Sequence, residues 1–255
     1  MENVKQKIDK IKTQIEKYFT VQLPSTAISP VNTAKIEQVI DHTLLSPAAT
    51  SKDIERVCDE AISYQFYSVC VPPRFVSLAR KRLGASSIHV ATVIGFPLGY
   101  NKSSIKRLET LKAIENGASE IDMVLPIGAL ISENWSVVRK DIQTVVEGAS
   151  QVPVKVILET GFLTEEQIIA GCFISQLSKA RFVKTSTGFG PRGASVTDIE
   201  TMHHTIGGQL GIKASGGIKT IEDAQAMIQA GATRIGTSNS IIILQQYHEQ
   251  RSKLH

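Results

Sequence analysis

Two stretches, Arg181-Phe-Val-Lys-Thr-Ser-Thr-Gly188 and Gly211-Ile-Lys-Ala-Ser-Gly-Gly217, decide how this chain is read. Each is a short apolar run of strand type with a lysine in it, followed by small residues and glycine. An ammonium group facing a core is costly to desolvate, so a lysine inside such a strand points to chemistry. Alternation puts Phe182, Lys184 and Ser186 on one face of the first run, and Gly211, Lys213 and Ser215 on one face of the second. Neighbouring strands lie about 4.8 Å apart, so two inward lysines at similar height perturb each other. A nearby cation lowers an amine's pKa and frees it to attack a carbonyl, which is the requirement of a Schiff-base enzyme. A single lysine would be explained as well by snorkelling to the rim and pairing there; two on consecutive strands favour chemistry. Alternation does not say which of the two attacks.

Outward from these runs the chain alternates strand-like and helix-like segments. Strands are predicted at residues 38–43, 67–71, 89–94, 120–124, 154–158, 181–184, 210–214 and 233–236, with amphipathic helices between them, as at 51–64, 104–116 and 164–177. In the second of these helices Ile105, Leu108, Leu111 and Ile114 recur at helical spacing and predict a core-facing stripe. Eight strands, each followed by a helix, argue for parallel strands joined by crossovers. The rival is a doubly wound open sheet. Polar residues cluster at the carboxyl ends of many strands, and glycine-rich turns follow the last strands, which favours a single α/β domain, a (β/α)8 TIM barrel over residues 34–255.

Residues 1–33 stand outside this repeat as a helical extension. Val4, Ile8, Ile11, Ile15 and Phe19 mark one face of a helix opposite a Lys/Glu face, and residues 23–30 read as a linker. The helix is expected to cap the bottom of the barrel or to lie against a partner subunit.

The chain has 255 residues, 42% hydrophobic and 20% charged, which is ordinary soluble composition. A dispersed net charge of +4 leaves no nucleic-acid footprint and supports at most a weak pull on anionic metabolites. Cys58, Cys70 and Cys172 lack metal-type spacing and cannot all pair, which fits a reducing compartment. No apolar run approaches a membrane span and the amino terminus shows no signal-peptide segment, so no membrane partner and a cytoplasmic location are expected.

Asp122 sits mid-strand, as a proton shuttle or as a counter-ion for a lysine. Lys155 and Glu159, on one face of the fifth strand, and Asp41, ending the first, are candidates for a polar network, more simply a structural one. Cys70 either lines the same cavity or is a small core residue. The turns Thr187-Gly-Phe-Gly190, Ser215-Gly-Gly-Ile218 and Gly236-Thr-Ser-Asn239 follow the last three strands. Each is expected to open a helix and to close backbone N–H groups on an anion, with Ser238 as a further donor, and together they predict a phosphate pocket. His203 and His204 read as a solvated helix surface, and Trp135 as a helix residue packed on the barrel.

At Ile40-Asp-His-Thr-Leu-Leu45, Val69-Cys-Val-Pro-Pro73, Val93-Ile-Gly-Phe-Pro-Leu-Gly99, Glu120-Ile-Asp-Met-Val124, Phe182-Val-Lys-Thr-Ser-Thr-Gly-Phe189 and Lys213-Ala-Ser-Gly-Gly-Ile218 the chain resembles the deoxyribose-phosphate aldolase family. The resemblance covers residue 36 to the last helix and implies reversible cleavage of 2-deoxy-D-ribose 5-phosphate to acetaldehyde and D-glyceraldehyde 3-phosphate, in deoxyribose phosphate catabolism. It implies no metal and no organic cofactor, a small sugar phosphate as substrate, and a homo-oligomer, dimer or tetramer. Carried over by motif, Lys184 is the Schiff-base nucleophile, Lys213 the neighbour that lowers its pKa, and Asp122 a proton relay acting through water. Gly188, Gly216, Gly217, Gly236 and Ser238 surround the phosphate, while Thr187, Asp41 and Cys70 are possible pocket residues. Asn239 stands where a serine or glycine is common. The carboxyl end does not finish in the tyrosine some members use, and Tyr247 is the nearest substitute. The competing readings are a transaldolase-like Schiff-base enzyme and a barrel that binds phosphosugars without catalysis.

Overall fold

Parallel pairing joins every strand to the next and the eighth to the first, so the sheet closes and has no free edge. The computed structural model describes residues 3–24 and 35–252. The strands are β1 (Ile40–Thr43), β2 (Ser68–Val71), β3 (His89–Ile94), β4 (Glu120–Val124), β5 (Val154–Ile157), β6 (Phe182–Lys184), β7 (Gly211–Ser215) and β8 (Arg234–Thr237). The helices are α1 (Val4–Phe19), α2 (Ser51–Tyr64), α3 (Val76–Leu83), α4 (Ser103–Glu115), α5 (Ile127–Ile131), α6 (Trp135–Ala149), α7 (Glu165–Leu177), α8 (Val196–Ile206), α9 (Ile221–Gln229) and α10 (Ser240–Ser252). Capping boxes start three of the outer helices. Thr50 with Asp53, Thr164 with Gln167 and Thr220 with Asp223 satisfy the first backbone donors of α2, α7 and α9.

Alternation along the strands separates two environments. Outward residues such as Val69, Ile121, Met123, Val156, Val183, Ile212 and Ile235 join the helices in one continuous apolar core. The inward side chains differ from the branched aliphatics that usually fill such a barrel. Among the described residues Cys70, Ala91 and Val93, on β2 and β3, form a small apolar cluster inside, with Leu45 and Phe96 packed against them. From β4 round to β1 the interior is lined by buried charged groups.

Several expectations are corrected. β1 begins at Ile40, because residues 36–39 form a 3₁₀ turn, and β8 is displaced by one residue to Arg234–Thr237. The apolar stripe of α4 faces outward: Ile105, Leu108 and Leu111 are 46%, 54% and 40% exposed. The inward side of that helix holds Lys106, Thr110 and Ala113 instead. Lys106 is stable there because its ammonium donates to the Val124 carbonyl (2.8 Å) and to Asp141 on α6 (2.6 Å).

The extension helix α1 does not cap the barrel bottom. It buries Ile8, Ile11 and Ile15 against the outer helical layer, chiefly α7, a gain of about 1.5–3 kcal/mol for each side chain. Lys7 pairs with Glu165 at the start of α7 (2.5 Å), and Tyr18 stacks edge-on with Trp135 at the start of α6. Those helix starts follow the carboxyl ends of β5 and β4, so α1 lies across the upper half of the wall. Trp135 is buried in the core beneath Tyr18. The linker expected at residues 23–30 lies largely outside the described residues. No helix among the described residues is long and apolar enough to cross a membrane.

Candidate active site

Strand register levels the key side chains. Lys184 on β6 pairs in register with Lys213 on β7, Lys213 with Arg234 on β8, and Asp122 on β4 with Lys155 on β5. All point inward. Asp122 is the hub: its Oδ2 accepts from Lys184 (2.9 Å) and Lys213 (2.8 Å), and its Oδ1 from Lys155 (2.8 Å). Lys213 also meets Asp41 Oδ2 at 2.5 Å, and Lys155 meets Glu120 at 2.7 Å. Arg234 bridges the other two carboxylates, Asp41 at 2.9 Å and Glu120 at 3.3 Å, with its guanidinium 3.5 Å from the Tyr67 ring centroid. Desolvating an ion costs on the order of several kcal/mol, so these seven groups hold one another in place only as a set.

The two lysines are electrostatically unequal. Burial is the largest influence on Lys184 and pushes its pKa down; the Lys213 charge adds to this and Asp122 opposes it. Burial acts the same way on Lys213, but the carboxylates of Asp122 and Asp41 outweigh it and hold that ammonium above its ordinary range. Burial would raise Asp122, yet Lys155, Lys184 and Lys213 together keep it well below the usual carboxylate range. For Lys184 dehydration thus outweighs the neighbouring cation as the source of the depression.

Above this network opens a cavity of about 440 Å³ lined by Lys184, Thr187, Gly188, Gly216, Gly217, Gly236, Ser238 and Asn239. The five residues expected around a phosphate therefore share one space with Lys184. Among the described residues Lys184 is the only amine of the network that reaches it. Asp122, Asp41, Lys213 and Cys70 lie beneath and do not line it. Gly216 and Gly217 have φ of +84° and +80°, a conformation glycine alone adopts without strain, which turns the chain after β7 round the cavity. Gly236 has another reason to be glycine: a Cβ there would meet Lys213 Cε at 2.8 Å, so the lysine stem needs that space.

Not every turn behaves as expected. The turns after β7 and β8 lead within a few residues into α9 and α10, whereas the segment from Thr187 runs on to Ser195, which caps α8. Glu159 lies past the end of β5 in a left-handed conformation (φ +57°) and does not continue that strand's inward face. Its carboxylate accepts from the Thr187 backbone N–H and hydroxyl, pinning the loop that follows Lys184. Tyr247 is on α10, accepts from Arg251, and is not among the cavity residues. His203 is partly buried and His204 exposed on α8, away from the barrel interior.

Sequence reasoning missed three participants. Glu120 and Arg234 complete the charge network, and each sits two residues before an inward residue already singled out, Asp122 and Gly236. Lys219, exposed on the Ser215–Thr220 turn, puts a cation at the rim of the cavity. Lys155, read as more simply structural, touches Asp122 directly. A larger groove of about 640 Å³ lies outside the barrel between α1 and the starts of α7 and α8, remote from these groups.

The chain is similar to known proteins over most of its length. Residues 35–245 match the model of the DeoC/LacD family aldolases. A deoxyribose-phosphate aldolase of Streptococcus gordonii is 52% identical over 210 residues, covering 82% of this chain and 96% of that protein. Among solved structures, the aldolase QR15 superposes with a TM-score of 0.83 at 37% identity, covering 88% of this chain and 100% of that one. The tetrameric deoxyribose phosphate aldolase of Aeropyrum pernix gives a TM-score of 0.76 at 32% identity, over 84% of this chain and 91% of that one. By sequence and by fold, the chain belongs to the DeoC/LacD family and is an aldolase, a carbon–carbon lyase.

Proposed function

We propose that this aldolase reversibly cleaves 2-deoxy-D-ribose 5-phosphate to acetaldehyde and D-glyceraldehyde 3-phosphate through a Schiff base on Lys184. The observation that carries this reading is that Lys184, with its depressed pKa, is the network amine that opens on the glycine-lined cavity. The Lys184 amine adds to the substrate aldehyde and the carbinolamine loses water to give an iminium ion. Loss of the C3 hydroxyl proton breaks the C2–C3 bond. The bonding pair moves into the enamine on Lys184, and glyceraldehyde 3-phosphate leaves. Protonation of the enamine carbon and hydrolysis then return acetaldehyde and the free amine. Asp122, held ionised by the Lys155 and Lys213 ammonium groups and hydrogen-bonded to Lys184, orients the lysines and passes protons through water. Lys213 remains an ammonium ion whose charge makes the Lys184 amine easier to deprotonate. The backbone N–H groups of the turns at Gly188, Gly216, Gly217 and Gly236, with the Ser238 hydroxyl, bind the phosphate, and Lys219 adds a charge at the rim. Thr187, fixed by Glu159, shapes the cavity wall, while Cys70 and Asp41 support the network from below.

The iminium ion is itself the electron sink, so this chemistry asks for no metal. Incubation with 2-deoxy-D-ribose 5-phosphate is expected to release both products at a rate unchanged by EDTA. A protein that binds the sugar phosphate without releasing acetaldehyde would contradict the reading, as would loss of activity with the chelator. The direction in the cell is taken to be catabolic, in a reducing cytoplasm, a reading supported by three buried free cysteines. We further infer that residues 34–255 form the catalytic barrel with residues 1–33 as an appendage. The outward ridge of α4 supports association into a dimer or tetramer of like chains.

A further inference from the structure

The contacts inside the barrel form a closed cycle. Arg234 meets Asp41, Asp41 meets Lys213, Lys213 meets Asp122, Asp122 meets Lys155, Lys155 meets Glu120, and Glu120 returns to Arg234. Cations and carboxylates alternate, each cation touches two carboxylates, and the cycle is neutral. Lys184 is the seventh group. Among the described residues it pairs only with Asp122 Oδ2, which already accepts from Lys213. A protonated Lys184 is therefore a surplus charge in a space largely shut off from water, and as a free amine it leaves the interior neutral. The remaining groups nearby do not pair with Lys184. Cys70 is a thiol whose pKa burial raises, β3 contributes Ala91 and Val93, and Lys219 is exposed at the rim. The buried Glu159 carboxylate lies outside the cycle, is turned onto Thr187, and is not among the main influences on the Lys184 amine.

We propose that Arg234, which touches neither Lys184 nor the cavity, is a positioning residue that keeps Lys184 unprotonated by completing this neutral cycle. The proposal rests on Lys184 being the Schiff-base lysine. Without the Arg234 charge, two cations would face three carboxylates, and a protonated Lys184 would restore the balance. Removing the Glu120 charge has the opposite effect, leaving three cations on two carboxylates and making a further ammonium less favourable. Glu120→Gln and Arg234→Met thus move the same amine in opposite directions. A merely structural role for the pair has no reason to produce opposite signs.

The experiment is the pH dependence of kcat/KM for 2-deoxy-D-ribose 5-phosphate cleavage in the full chain and three variants. The acid limb reports the amine that must lose its proton. Arg234 is two strands from Lys184, roughly 10 Å at the usual strand spacing, which at an effective dielectric near 20 corresponds to about one pH unit. Arg234→Met is expected to displace the limb upward by about one pH unit, so that kcat/KM below the limb falls about tenfold. Glu120→Gln is expected to displace it downward, and Arg234→Lys, which keeps the charge, to leave it in place. Should Arg234→Met fail to fold, the downward shift in Glu120→Gln and the unmoved limb of Arg234→Lys still decide the matter. Limbs that stay in place in both charge-removing variants, or move in the same direction, overturn the proposal. Borohydride reduction with acetaldehyde on the parent chain separates the two claims. An adduct on Lys184 with unmoved limbs sinks the role of Arg234 alone, whereas no adduct there sinks the Schiff-base reading beneath it.

Discussion

Lys184 and Lys213 donate to the same carboxylate oxygen, yet their surroundings push them in opposite directions. Lys213 has a second carboxylate, Asp41, and stays charged; Lys184 has none and is the easier proton to lose. Substitution of Lys213 by leucine removes one cation from the neutral cycle, so the Lys184 pKa should rise. Its free-amine fraction is then lost at neutral pH and recovered only as pH climbs through the new value. The rate–pH profile of Lys213→Leu is expected to lose on the order of 10²-fold at pH 7 and to regain part of that near pH 10, whereas Lys184→Ala stays inactive throughout. A flat loss in Lys213→Leu would mean that Lys213 acts otherwise. The lysine pair and Asp122 were legible because strand alternation and burial cost speak plainly about a charge inside an apolar run. Arg234 and Glu120 were less so, since each stands at the start of its strand, where a charge ordinarily reaches solvent. Their inward parity with Gly236 and Asp122 was the available signal.

The elements show which patterns carry information about direction. The helices that begin near Ser51 and Thr164 were readable because their apolar residues recur at three- and four-residue spacing. Helix α4 was readable as a helix but not in its orientation. Its apolar stripe would suit a core, and only the partner of Lys106, Asp141 some 35 residues on, turns the polar side inward. The outward ridge of Ile105, Leu108 and Leu111 is symmetric about Leu108. In an antiparallel contact between two copies Leu108 meets its counterpart and Ile105 meets Leu111, with the exposed Lys102 and Glu115 at opposite ends. Leu108→Glu places like charges at that centre. Sedimentation should show the parent as a dimer or larger and the variant shifted toward monomer; an unchanged parent-like assembly in the variant would place the interface elsewhere.

In the whole molecule, apolar packing and chemistry are kept apart by the barrel wall. The outward strand faces and the helices form the continuous core, while the interior trades aliphatic packing for a charge network open at one end. This arrangement explains how a fold ordinarily filled by branched side chains carries an amine whose pKa lies below its ordinary value. Whether Lys184 carries the covalent intermediate is read by trapping it. The protein is incubated with acetaldehyde, reduced with borohydride, digested, and mapped by mass spectrometry. A two-carbon ethyl adduct is expected on Lys184 and is absent in Lys184→Ala; an adduct on Lys213 instead, or none on either lysine, would overturn the assignment of the nucleophile.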